Sequence, residues 1–314
     1  MYNYDKNYIA QRASNFGFIR DTLEKVYRLA DILEYMNSDP ILKGKLALKG
    51  GTAINLTMFN LPRLAVDIDF DYLSNDSREE MLQNRMIINT ALARFMEFSG
   101  YKLSPKTKTP HSLDSWIYEY VNCGGNKDTI KIEINYSLRS HVFPAQEMKI
   151  VTEHFESEYY LNCLHALEIF GSKINALLSR AAARDLYDVY NMIKFRLFDE
   201  SEEQLLRKCV VFYAAISARG INKSFETGAI DLITKYKIRT DLVPVLTKQD
   251  PFDLNSAKKA AKDYISELMA VTPQEQECLE RFEVKEYKPE LLFDDADFID
   301  RIKSHPMALW KIRH

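Results

Sequence analysis

Three aspartates, Asp67, Asp69 and Asp71, alternate with Val66, Ile68, Phe70 and Tyr72. A spacing of two is the period of a β-strand, so the carboxylates share one face and the apolar side chains fill the other. Ionised carboxylates this close repel one another, and a bound divalent cation removes that cost. Hard oxygen donors with no neighbouring His or Cys favour Mg2+ or Mn2+ over zinc. Two such ions, about 3.5–4 Å apart, activate an attacking hydroxyl and stabilise a leaving pyrophosphate. The plain alternative is the solvated acidic face of an antiparallel sheet.

Upstream, Leu46-Ala47-Leu48 runs into Gly50-Gly51-Thr52. This predicts a strand, a tight turn and a helix through Ala53, Leu56 and Phe59 with Thr52 as its cap. Glycines allow close backbone approach, and a helix N-terminus offers amide donors to a phosphate. Turn and acidic strand together, one helix apart, are more specific than either alone. In Lys131-Ile132-Glu133-Ile134-Asn135 the same alternation lets Glu133 supply a further carboxylate from a neighbouring strand, or an edge charge facing water. Further along, Lys173, Arg180, Arg184 and Asp188 follow at offsets of 7, 4 and 4. On one continuous helix they form a polar stripe, ordinarily the solvent face. Packed beside the carboxylates, Lys173 would instead hold a triphosphate and the arginines a nucleotide or RNA phosphate. Asp185 falls about a third of a turn off the stripe, so a break near Ala183 is expected, with Asp185 opening a new helix.

The elements that must position these residues follow from periodicity. Ile19, Leu23, Val26, Leu29, Ile32 and Leu33 mark one or two amphipathic helices within residues 5–37. A helix is expected from Met81 to Phe98. Strands around Ser115–Val121 and Thr129–Tyr136 flank the turn-rich Asn122-Cys123-Gly124-Gly125-Asn126, as in a hairpin. From Cys163 the chain reads as helices over Leu164–Ser179, Ala183–Phe195, Ser201–Ala218 and Ser256–Val271, and a last one over Asp295–Lys311 interrupted at His305-Pro306. The architecture expected is α+β: a domain with a mixed β-sheet flanked by helices over residues 1–155, then a mainly α-helical domain over 156–314.

A chain of 314 residues with 46% hydrophobic content has room for two such domains. Its net charge of −3 is not the basic balance of a nucleic-acid binder, so any such binding must come from a local patch. Lys102, Lys106 and Lys108 with His111, or Lys258, Lys259 and Lys262, offer candidates, each also explicable as solvated charge. Cys123, Cys163, Cys209 and Cys278 are too far apart in sequence for a zinc or redox motif and read as reduced thiols. No segment reads as a signal peptide or as a span of about 20 apolar residues, so a cytoplasmic location without membrane contact is expected.

Taken in order, Lys49-Gly50-Gly51-Thr52-Ala53, Leu61-Pro62-Arg63, Asp67-Ile68-Asp69-Phe70, Lys173-Ile174-Asn175-Ala176 and Arg184-Asp185-Leu186-Tyr187-Asp188 resemble the AbiEii/AbiGii-like toxins of bacterial toxin–antitoxin and phage-defence systems. These are a branch of the DNA polymerase β-like nucleotidyltransferases. The closing His305-Pro306 and Trp310-Lys311 also resemble the family's C-terminal end. The resemblance implies NMP transfer from an NTP, with Lys49, Gly50, Gly51, Thr52 and Arg63 at the nucleotide and Asp67 and Asp69 as metal ligands, to which the alternation of its own strand adds Glu133. It implies Lys173 and Arg184 on phosphate, Asp185 needed for activity, and a helical domain that completes the nucleotide site and binds the acceptor. The acceptor expected is an RNA, the 3′ end of tRNA among them, or a protein, and a cognate antitoxin is an expected partner. Asp71 has no matching role and is expected at the rim. Ala65 stands where relatives often carry Ser or Thr. Two rivals remain at this level: a metal-dependent glycosyltransferase using Asp-x-Asp, and a nucleotide-binding module without turnover.

Overall fold

The computed structural model describes residues 3–150, 154, 159–217 and 224–314. Backbone contacts divide the chain into two units, Met1–Arg139 with Ala145–Leu164 and Pro244–Asp250, and Ser140–Pro144 with His165–Val243 and Pro251–His314. The expected boundary at 155 lies outside the described residues.

The first unit opens with α1 (Lys6–Phe16) and α2 (Arg20–Ser38). Leu23, Val26, Leu29, Ile32 and Leu33 of α2 are buried as their spacing predicts, whereas Ile19, expected on the same face, stands at the N-cap and is exposed. Seven strands form one mixed sheet: β1 (Leu46–Lys49), β2 (Asp67–Tyr72), β3 (Lys102–Leu103), β4 (Leu113–Val121), β5 (Lys127–Asn135), β6 (Gln146–Lys149) and β7 (Tyr160–Cys163), in the order β3-β4-β5-β2-β1-β7-β6. The pairs β2–β5 and β1–β7 are parallel and the others antiparallel. The short α3 (Gly50–Ala53), continued by a π-helical turn over Ile54–Met58, precedes the acidic strand, and the long α4 (Arg78–Phe98) follows it. α4 begins three residues before the expected Met81, because Ser77 and Glu80 form a reciprocal capping box that satisfies its first amides.

One sheet face is apolar. Ile68, Ile130, Ile132 and Ile134 are completely buried there, each stabilising the fold by about 1.5–3 kcal/mol. Register therefore decides chemistry, since a slip by one residue would exchange this row with the aspartates. The strands β6 and β7 carry no clean alternation and were not expected from the sequence.

The second unit is helical: α5 (Ala166–Arg180), α6 (Ala183–Lys194), α7 (Glu200–Ile216), α8 (Lys235–Lys237), α9 (Leu254–Leu268), α10 (Pro273–Glu283), α11 (Ala296–Ile302) and α12 (Pro306–Arg313). Ala218, the expected end of the third helix, lies outside the described residues. The break before Asp185 is present: Ala181 is left-handed at φ 49° and Ala182 is extended, so α5 stops and α6 starts. α10 was not expected, although Thr272-Pro273-x-Glu275 carries a capping box and a proline at the first helical position. His305-Pro306 proves to be a cap. The His305 ring nitrogen Nδ1 accepts from the amides of Met307 and Ala308, and Pro306 opens α12.

Candidate functional site

At the end of β1 the backbone turns through Gly50, whose φ of 67° is left-handed. A Cβ there would also lie 2.9 Å from Asp69 Oδ2, so glycine serves both the turn and the close approach of the carboxylate. At Gly51 a Cβ would lie 2.4 Å from the buried Arg63 guanidinium. Arg63 donates to the Leu64 carbonyl at 3.1 Å and pairs through its backbone with Leu246. Thr52 is not the helix cap predicted for it. Lys49 occupies that position without a side-chain cap bond, and the Thr52 hydroxyl, inside α3, donates to the Asp67 carbonyl, tying turn to acidic strand.

The paired register sets Lys49, Asp69, Glu133 and Ser115 in one row across β1, β2, β5 and β4. Asp67 stands beside Lys131 and Asp71 beside Asn135. Side chains of directly paired residues share a face. Asp71 therefore departs from expectation: it is not at the rim but buried, with its carboxylate ion-paired to Lys49. Burial pushes the Asp71 carboxyl up, and Lys49 pulls it back only in part. Desolvation also raises Asp69, to about 6, with Asp67 and Glu133 adding to the rise and Lys49 and Lys131 opposing it. Glu133 goes the other way. Burial would raise it, but bonds from Lys131 and Ser115 and its contact with Asp69 outweigh burial and hold its carboxyl below the usual range. Lys131 Nζ lies 2.9 Å from Glu133 Oε1.

Four carboxylates thus share this face with two lysines, an excess of two negative charges made of hard oxygen donors. That donor set fits a divalent cation of the Mg2+ class. Among the described residues no three His, Cys, Asp or Glu side chains are gathered tightly enough to ligate one ion as they stand. The lysines draw Asp71 and Glu133 aside. Ser115 is a contributor that periodicity did not single out; it becomes visible only through register, because it lies across a strand boundary from Glu133, while Lys131 shares β5 with Glu133 and stands beside Asp67.

In the helical unit, Lys173 does not belong to a solvent stripe. It is buried, and its amine pairs with Asp185 at 3.0 Å and Asp188 at 3.1 Å. Arg180 closes the group with a bidentate grip on Asp185, Nε to Oδ2 at 2.6 Å and Nη2 to Oδ1 at 2.9 Å. Burial alone would raise Asp185, but Lys173 and Arg180 outweigh it and hold the carboxyl below its usual range. Arg184 points elsewhere and donates from Nε to the Asp241 carbonyl at 2.8 Å. Of the two lysine clusters considered from sequence, Lys258 and Lys262 are both engaged by Asp231. No helix among the described residues is long and apolar enough to cross a membrane.

Residues 31–288 match the family model of the nucleotidyl transferase AbiEii toxin of type IV toxin–antitoxin systems. The fold is similar to that of MenT4, a nucleotidyltransferase toxin from Mycobacterium tuberculosis H37Rv, with a TM-score of 0.65 and 15% identity over 98% of this chain and 99% of that one. No curated protein matches the sequence.

Proposed function

We propose, from the premise that this chain belongs to the AbiEii family of nucleotidyl transferase toxins, that it is a Mg2+- or Mn2+-dependent enzyme that moves NMP from an NTP to RNA, with the 3′ end of tRNA as one acceptor. The observation that carries the metal dependence is the uncompensated carboxylate face, where Asp67, Asp69 and Glu133 outnumber the available lysines. Asp67 and Asp69 would hold the ion, with Glu133 assisting. When bound, the ion supplies neutralisation of phosphate charge and acidity to an attacking hydroxyl.

The remaining work falls to the chain's own groups. Gly50 and Gly51 leave backbone room for a triphosphate, and Thr52 fixes the turn to the Asp67 carbonyl. Lys49 and Arg63 supply positive charge beside that turn. Lys173 and Arg184 are assigned to phosphate recognition, and Asp185 to holding Lys173 and Arg180 in place. The first unit is the catalytic domain and the helical unit the acceptor-binding domain in this reading. The setting is a bacterial cytoplasm, with a cognate antitoxin as partner and phage defence as the role. Membership in a nucleotidyl transferase family argues against the Asp-x-Asp glycosyltransferase and against the module without turnover.

The test is incubation of the purified chain with each labelled NTP, Mg2+ and whole-cell extract, followed by separation of RNA from protein. Label is expected in RNA, lost on chelation and lost in Asp69→Ala with its circular dichroism unchanged. Label in protein, or full activity of Asp69→Ala, would overturn the reading.

A further inference from the structure

We infer that Lys235, Tyr236 and Arg239, on the helical unit, form a binding surface for a single-stranded stretch of RNA, two cations meeting backbone phosphates and the tyrosine stacking one base. The inference rests on the RNA acceptor proposed above and assigns it a place. A chain of net charge −3 needs a local basic surface to hold nucleic acid, and this segment supplies one.

The segment Lys235-Tyr236-Lys237-Ile238-Arg239 sets three cations and an aromatic ring within five residues. The Thr234 hydroxyl caps α8, accepting from the Lys237 amide, and α8 runs directly into a π-helical turn over Ile238–Leu242. Lys235 and Arg239 therefore stand about one turn apart on the same side, with Tyr236 on the flank next to Arg239. The Tyr236 ring is 65% exposed, and the Arg239 guanidinium lies 5.6 Å from its centroid. Lys235 and Arg239 are exposed and make no ion pair among the described residues. Lys237 turns inward, its amine donating to the Ala181 carbonyl at 3.4 Å.

Location strengthens the case. The Arg184–Asp241 and Lys237–Ala181 bonds fasten this segment to the junction of α5 and α6, where Arg184 adds to the positive field. The acids nearby are Asp241, which accepts from Thr240, and Asp253, which caps α9 and lies near Lys235. Asp185 and Asp188 are already held by Lys173 and Arg180. Lys235, Lys237, Arg239 and Arg184 thus outnumber Asp241 and Asp253 here. An exposed ring beside a cation suits a base, because every base presents a π-face and stacking is tolerant of sequence.

The test uses the full-length chain and a fluorescent single-stranded RNA of about 12 nucleotides, within the usual site size for such surfaces, without Mg2+ or NTP so that binding is read apart from turnover. The double variant Lys235→Glu, Arg239→Glu is expected to bind at least about tenfold more weakly, with its salt slope shallower by about 1.4, two phosphate contacts at about 0.7 each. Tyr236→Ala is expected to lose about tenfold with the slope unchanged. Unaltered melting temperatures and unaltered stabilisation by NTP with Mg2+ would show that the variants are folded. A wild-type chain that does not bind the RNA, or variants with wild-type affinity and slope, overturns the inference. RNA binding that fails in the variants while wild type incorporates no NTP would instead strike the proposed reaction and leave this surface standing.

Discussion

On the sheet face, four carboxylates share space with two lysines; at the α5–α6 junction, two carboxylates share space with a lysine and an arginine. The first group is left with excess negative charge, and its pKa values diverge, Asp69 pushed up to about 6 while Glu133 is held down. The second is balanced, and Asp185 is held down. A balanced buried cluster holds its own members in place, so removing one costs stability. An unbalanced one awaits a cation, so removing a member relieves repulsion. The same residue type in the same chain is therefore expected to respond to mutation with opposite signs.

The largest effect should come from the balanced cluster. Asp185→Ala takes away the buried carboxylate that Lys173 and Arg180 share, with its three charge-assisted bonds, and is expected to cost about 3 kcal/mol in urea unfolding. A cost below about 0.5 kcal/mol would return this group to a solvated stripe and break the comparison.

Next comes a carboxylate of the helical unit that has amides and a hydroxyl instead of a cation as its hydrogen-bond donors. Buried Glu168 accepts from the amides of Val142 and Phe143 and the Tyr213 hydroxyl, and desolvation pushes its carboxyl up to about 7. The folded chain then keeps this proton up to about pH 7, whereas the unfolded chain releases it near 4.5. Stability from this group is fully present below about 4.5 and falls as pH rises through 7, on the order of 3 kcal/mol in total. Melting curves from pH 4.5 to 8 should show a smaller decline in Glu168→Gln than in wild type; equal declines would mean that Glu168 is ionised throughout.

The smallest effect carries the most direct test of the contrast. Asp69→Asn removes one charge from the crowded face, and is expected to stabilise the metal-free chain by about 1 kcal/mol while abolishing the rise in melting temperature caused by Mg2+. Destabilisation comparable to that of Asp185→Ala would show that the two clusters are of one kind.

Much of this was legible in the sequence because it depends on period. The two-residue alternation of Asp67–Tyr72 and Lys131–Asn135 defined strands with an acidic face, and the helical spacing in α2 defined its buried side. The offset of Asp185 from the stripe of Lys173 and Arg180 announced the break at Ala181. Order of motifs carried the family. Tertiary structure decided what period leaves open, namely which strand lies beside which. The row Lys49–Asp69–Glu133–Ser115 joins residues from four strands, and nothing local in any one of them selects the other three. Burial was likewise decided there: Asp71 and Lys173 have the sequence appearance of surface charges, yet each is enclosed with an opposite charge supplied by another element, because a buried ion is tolerated only beside its partner. The acidic triplet was a property of the sequence; its division into one neutralised aspartate and two left facing an excess of charge was a property of the fold.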